Sequence, residues 1–296
     1  MNIRDLQGSI VALITPFNED GSVDFEALGN LVDMHLAAGT DAILPLGTTG
    51  ESSTMTHEED DEVVRFVVER VAGRIPVIAG SGSNSTQTML EKSLSFQKLG
   101  ADALLLITPY YNKSNEEGIY QHFKTVADAV DIPCILYNVP GRTGCSISVK
   151  NVERLAAHPN IMGIKEASGS ISYANDIAHL IGPDFKMFSG NDDMVVPLMS
   201  LGASGVISVW ANVQPALVHE MTCAFLEGDI ARARQIQLEG LPLVHALFCE
   251  VNPIPVKEAC AQMGLCEANY RLPLVPMADA NRARLVEALK GAGLVD

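Results

Sequence analysis

Short apolar runs alternate with segments of helical period along most of the chain. Residues 9–15 read as a buried strand, and Phe25-x-x-Leu28-x-x-Leu31-Val32-x-x-x-Leu36 follows at helical spacing to a stop at Gly39. A second run, 42–46, ends in Gly47-Thr48-Thr49-Gly50-Glu51, after which Thr56-x-x-Glu59 forms a capping box for a helix that buries Val63, Val67 and Val71. Runs at 76–80 and 103–107 are the third and fourth strands, with helices opening at Asn84-x-x-Gln87 and Ser114-x-x-Glu117. Strands five to eight fall at 134–137, 161–167, 186–189 and 205–208. This alternation predicts an α/β fold with a parallel sheet, and eight units point to a closed (β/α)8 TIM barrel. A doubly wound open sheet is the alternative, although that fold usually has fewer units and a clearer nucleotide loop. Beyond about residue 226 the pattern is helical only, over 226–251, 253–265 and 279–294, with Pro-rich corners at 252–255 and 272–276. The expected organisation is a catalytic barrel over 1–226 and a small C-terminal helical appendage over 227–296.

Composition narrows the function classes. The 20 Lys+Arg against 36 Asp+Glu leave a net charge of −16, with no basic run to offset it, which argues against nucleic acid and anionic membranes as partners. The N-terminal stretch 1–8 leads into an apolar run too short for a leader or a span. Six cysteines without a C-x-x-C pair read as reduced thiols in a cytoplasmic protein. The seven histidines form no H-E-x-x-H or Cys/His cluster, so no metal site is expected. Gly80-x-Gly82-x-x-Ser85 lacks the third glycine of a dinucleotide loop. The acidic run at 58–62 reads as the solvated first turn of a helix, where the dipole favours negative charge.

The sixth strand carries the candidate chemistry. Ile161-Met162-Gly163-Ile164 runs directly into Lys165, and an ammonium delivered by an apolar strand is poorly solvated, which lowers its pKa toward the nucleophilic amine. A strand-end lysine that snorkels to solvent is the competing reading. Reactive groups of a (β/α)8 barrel sit at the carboxyl ends of strands. That rule collects Thr15, Thr48, Thr49, Gly80, residues 108–111, Tyr137, Lys165, Ser189-Gly190-Asn191 and Ile207-Ser208, a set suited to carbonyl chemistry. Strand alternation puts Ile161, Gly163 and Lys165 on one side of their strand and Ile135 and Tyr137 on one side of theirs; with both rows facing the barrel interior, Tyr137 is the candidate proton shuttle beside Lys165. The amides and hydroxyls of Gly47-Thr48-Thr49-Gly50 suit a keto-acid carboxylate, or form only a tight turn. Arg142 offers a planar fork for a second carboxylate, or a surface ion pair.

Five motifs in order resemble the dihydrodipicolinate synthases, in the pyruvate-dependent class I aldolase family that includes N-acetylneuraminate lyase. They are Gly47-Thr48-Thr49-Gly50-Glu51, Pro109-Tyr110-Tyr111, Tyr137-Asn138-Val139-Pro140-x-Arg142-Thr143, Ile164-Lys165-Glu166 and Asn252-Pro253-Ile254-Pro255-Val256-Lys257. The resemblance implies a pyruvate Schiff base on Lys165, with no other cofactor, whose enamine attacks L-aspartate 4-semialdehyde. It also implies a relay of Tyr137, Thr48 and Tyr111, the last reaching in from a neighbouring subunit of a homotetramer built from tight dimers. Thr49 matches a pyruvate-carboxylate contact, Arg142 the clamp on the aldehyde's carboxylate, and Gly190 and Ile207 backbone contacts. Ser52, His57, Asn84 and Tyr110 match an allosteric lysine pocket, but Asp60 and Thr88 depart from it, so weak or absent lysine inhibition is expected. Another pyruvate lyase of the family, acting on sialic or 2-keto-3-deoxy sugar acids, is the nearest rival. Outside enzymes, a non-catalytic binding barrel is the other.

Overall fold

A computed structural model describes residues 3–296. Residues 1 and 2, part of the N-terminal stretch discussed above, lie outside the described residues. Eight strands follow one another in parallel: β1 (Gly8–Ala12), β2 (Ala42–Leu44), β3 (Ile78–Gly80), β4 (Ala103–Ile107), β5 (Cys134–Asn138), β6 (Ile161–Glu166), β7 (Lys186–Ser189) and β8 (Gly205–Ser208). They are ordered β2-β1-β8-β7-β6-β5-β4-β3, and a parallel bridge between Ile43 and Val77 joins the two ends, closing the barrel. Between strands run α1 (Phe25–Ala37), α2 (His57–Val71), α3 (Thr86–Lys98), α4 (Glu116–Ala129), α5 (Pro140–Thr143), α6 (Val149–Ala156), α7 (Ile171–Ile177) and α8 (Val195–Ser200). The eighth unit ends with α9 (Pro215–Leu226), and α10 (Ile230–Leu247), α11 (Ile254–Gln262) and α12 (Asp279–Gly291) complete the chain. The expected closed barrel with added C-terminal helices is therefore present.

The apolar residues separate into two clusters, as strand alternation requires. Ile10, Leu44, Ile78, Leu105, Ile135, Phe188 and Ile207 fill the barrel, while Val11, Ile43, Leu104, Leu136 and Val206 face the helices. The outer cluster continues into Ile236, Leu243, Leu285 and Leu289, so the C-terminal helices share the barrel's core. Among the described residues no helix is long and apolar enough to cross a membrane.

Several local expectations need correction. α3 is capped by Ser85, not Asn84, because the Asn84 amide donates to the Tyr110 carbonyl at 3.1 Å; α4 is capped by Asn115, one residue after Ser114. The helix expected from residue 226 starts at Ile230, since Gly228 (φ +92°) ends α9 and Asp229 caps α10. Asp60 leaves the solvated acidic run: it is buried, and its carboxylate lies 2.8 Å from Lys92 Nζ across to α3. Finally, Ile161 does not share a face with Lys165. The β5–β6 register shifts between Cys134 and Ile135, a bulge that leaves Ile161 with the outer cluster and puts Met162 inside the barrel.

Candidate active site

After the bulge the register is regular, pairing Tyr137 with Lys165 and Asn138 with Glu166. The outward pair is fastened by a 2.8 Å hydrogen bond from Asn138 Nδ2 to Glu166 Oε2, and Glu166 Oε1 accepts from the Ser168 amide at 2.7 Å. The inward pair is thereby held side by side, with Lys165 Nζ 4.5 Å from the Tyr137 ring centroid. Lys165 is 6 % exposed, and among the described residues no carboxylate lies within ion-pair distance of its ammonium. It does not snorkel. Burial lowers its pKa to about 8; the negative field of Asp192 opposes the shift and the Arg142 guanidinium adds to it. A group so placed supplies neutral amine near physiological pH.

Burial raises the Tyr137 phenol above its ordinary value, partly offset by Arg142 and by the Thr48 hydroxyl against it. The phenol therefore stays protonated and able to donate. Thr48, Tyr137 and Arg142 line one end of a cavity of ≈ 390 Å³. Lys165 is not on its wall; Tyr137 is, with its ring against the lysine. Arg142 sits on α5, exposed, and instead of a surface ion pair it donates from Nη2 to the Asn252 carbonyl at 3.1 Å. Its fork thus faces the cavity with no carboxylate partner among the described residues.

Two glycines make this packing possible. A Cβ on Gly80 would stand 2.3 Å from the Leu46 carbonyl oxygen, so the chain entering the Gly47–Thr48 turn crosses directly over it. A Cβ on Gly190 would lie 3.1 Å from Lys165 Cε and 2.6 Å from Ala167 Cβ. Gly190 therefore belongs beside the lysine, while Ile207 is fully buried inside the barrel, paired with Ile10.

The other candidates divide. Thr49 is buried and its hydroxyl accepts from Asn252 Nδ2 at 3.0 Å. Tyr111 is 93 % exposed with φ +69°, outside the cavity. Ser52, His57 and Tyr110 also line the cavity, together with Asp60, Thr88 and Lys92; Asn84 does not, but its amide donates to the Tyr110 carbonyl. Thr48, Tyr137 and Arg142 thus line the same cavity as the positions expected to be regulatory. Among the described residues no group of three or more Asp, Glu, His or Cys side chains is arranged to hold a metal ion.

The sequence pattern of the dihydrodipicolinate synthetase family matches residues 5–292. The chain belongs to this family. A 4-hydroxy-tetrahydrodipicolinate synthase from Thermoanaerobacter sp. (strain X514) is 54 % identical over 290 residues, covering 98 % of this chain and 97 % of the relative. The crystal structure of dihydrodipicolinate synthase from Aquifex aeolicus superposes with a TM-score of 0.95 at 50 % identity, over 97 % of this chain and 98 % of that one. A structure described as the first monomeric dihydrodipicolinate synthase variant superposes at 0.96 with 40 % identity, each chain 98 % covered. The protein is thus an enzyme of the dihydrodipicolinate synthetase family.

Four residues that shape the surroundings of the site were given no role in the sequence reading. Asp192 is buried, accepting from Ser208 Oγ at 2.6 Å and from the Val209 and Trp210 amides at 2.9 and 3.0 Å. The carboxyl-end rule stopped one residue short of it, at Asn191. Asn252 was quoted in a Pro-flanked corner and in a family motif without a role, yet it holds both Thr49 and Arg142. Glu51 and Lys257 were quoted within motifs without a role, and they form a fully buried ion pair. Conversely, several hydroxyls gathered by the rule are structural: Thr15 donates to the Gly50 carbonyl at 2.7 Å, and Thr108 to Thr143 at 3.1 Å.

Proposed function

We propose that the enzyme condenses pyruvate with L-aspartate 4-semialdehyde to 4-hydroxy-tetrahydrodipicolinate, in lysine and diaminopimelate biosynthesis. The neutral Lys165 amine attacks the keto carbon of pyruvate, and loss of water leaves a protonated imine. Removal of a proton from the pyruvate methyl gives the enamine, whose carbon attacks the aldehyde. The aspartyl amine then displaces Lys165 from the imine carbon, closing the ring; one water is released overall. Tyr137, with Thr48, moves the protons of carbinolamine formation and dehydration, a reading supported by the Tyr137 ring against the amine and the Thr48 hydroxyl against its phenol. Arg142 takes the carboxylate of the aldehyde. No cofactor beyond the covalent imine is called for.

The observation that carries this reading is a buried lysine with a pKa of about 8, against the ring of a tyrosine that lines a cavity together with an arginine that has no carboxylate partner among the described residues. Steady-state assays of pyruvate with L-aspartate 4-semialdehyde test it, run beside cleavage assays on sialic and 2-keto-3-deoxy sugar acids. Faster sugar-acid cleavage would favour the lyase reading instead.

Assembly belongs to the same proposal: a cytoplasmic homotetramer of tight dimers, with Tyr111 completing the neighbour's relay. The six free thiols and the outward, strained Tyr111 support it. Mixed dimers of Tyr111→Phe and Lys165→Ala should recover activity that neither variant has; no recovery in verified mixed dimers would contradict a tyrosine acting across subunits. Feedback by lysine is expected to be weak or absent. Thr88 has no carboxylate to offer an ammonium, and the Asp60 carboxylate is already engaged by Lys92. Strong inhibition at submillimolar lysine would overturn that.

A further inference from the structure

The C-terminal helices meet the site at residues 252–257, and one fully buried residue there has no part in the chemistry above. Lys257, on α11, is fully buried, and its ammonium pairs with the equally buried Glu51 carboxylate. It also donates to the Asn269 carbonyl at 3.0 Å and lies 4.1 Å from the Phe17 ring centroid. Glu51 ends the turn that carries Thr48 and Thr49, and it holds φ +55°, a left-handed backbone that glutamate seldom adopts. A strained backbone under a buried carboxylate persists only when its surroundings over-determine it. The turn is fastened elsewhere too: Gly50 by Thr15, and Thr49 by Asn252. Asn252 lies five residues before Lys257, and its carbonyl is the acceptor for Arg142.

We propose that the Glu51–Lys257 pair is a positioning device for the reaction, fixing the Thr48-Thr49 turn to α11 and, through Asn252, setting its distance from Arg142. The proposal rests on the keto-acid reading of the site. Neither residue lines the cavity, and each is fully buried against the other, so the pair acts through the turn it holds. What the pair controls is where the hydroxyls and amides of the turn stand when a keto-acid carboxylate arrives. A displacement of about 1 Å there is enough to weaken binding and turnover by one to two orders of magnitude.

Steady-state kinetics and melting temperatures of Glu51→Gln, Lys257→Met and the double variant test this. Lys257→Met leaves Glu51 buried without its partner and should melt lowest; the double variant leaves no uncompensated charge and should melt higher. In all three the KM for pyruvate should rise about tenfold or more. Asp33→Asn, which removes the exposed pair with Arg70, should leave KM unchanged. A double variant with restored melting temperature and wild-type KM would overturn the proposal, since the pair would then serve the fold alone. Hydrogen exchange on the wild-type protein gives a reading independent of how the variants fold: the Gly50 and Glu51 amides should exchange as slowly as those of β2, and rapid exchange there would overturn it equally. Wild-type protein that does not turn over pyruvate contradicts the keto-acid reading, whereas an active wild type with insensitive variants contradicts only this proposal.

Discussion

Two of the buried lysines, Lys165 and Lys257, have opposite fates. Lys165 and Lys257 both lose water, and for both burial is the main force lowering the pKa. Lys257 meets a carboxylate, a carbonyl and two aromatic rings, which satisfy its charge and seal it in. Lys165 meets the Tyr137 ring and no carboxylate at ion-pair distance among the described residues, with Asp192 acting on it only as a field. Burial alone does not make a lysine reactive. Burial without a committed partner, beside a cavity, does.

The largest effect that would break this contrast comes from exchanging the roles by mutation. Lys165→Ala should lower turnover by roughly 10⁴-fold or more while leaving the fold intact, since the interior loses one uncompensated amine. Lys257→Met should do the reverse: it should cost about 3–5 kcal/mol of stability, the usual penalty for orphaning a buried charge, while Lys165 still forms the imine at saturating pyruvate. Equal activity losses in both variants, with equal melting temperatures, would erase the distinction.

Tyr137→Phe sharpens the comparison by removing the proton donor and keeping the ring against the amine. A drop of about 10²–10⁴-fold in kcat is expected, with melting little changed. Near-wild-type kcat would assign the shuttle elsewhere.

The pH profile carries the smallest effect. Imine formation needs neutral amine, so kcat/KM for pyruvate should rise with pH and level off above about 8. The Asp192 charge holds that value up, so Asp192→Asn should move the ascending limb to lower pH, by an amount on the order of one unit or less. A limb that stays put or moves upward would show that Asp192 does not act on Lys165.

The strand order and the place of Lys165 were legible because an apolar run interrupted by a lysine needs only local information. So was Tyr137, one strand earlier at the paired position. The bulge at Ile161–Gly163 went unread: Gly163 is its one mark, and a strand glycine equally marks the close approach of a neighbouring backbone, here Lys186. Asp60 escaped for a different reason. Helix-dipole reasoning treats the acidic turn as one object, whereas Asp60 is singled out by Lys92, 32 residues further on. The Thr49–Asn252 contact spans 203 residues and the Glu51–Lys257 pair joins the same two regions, which no spacing rule connects. Tyr111 reads as catalytic only through the family resemblance. Within its own chain it is exposed and lies outside the cavity.

The difference between the two lysines can be read directly by reducing the protein with borohydride in the presence of pyruvate and mapping the modified peptide. The structure predicts one added pyruvyl group, on Lys165, with Lys257 unmodified and Lys165→Ala protein unlabelled. Label on Lys257, or an unmodified Lys165 at saturating pyruvate, would contradict it.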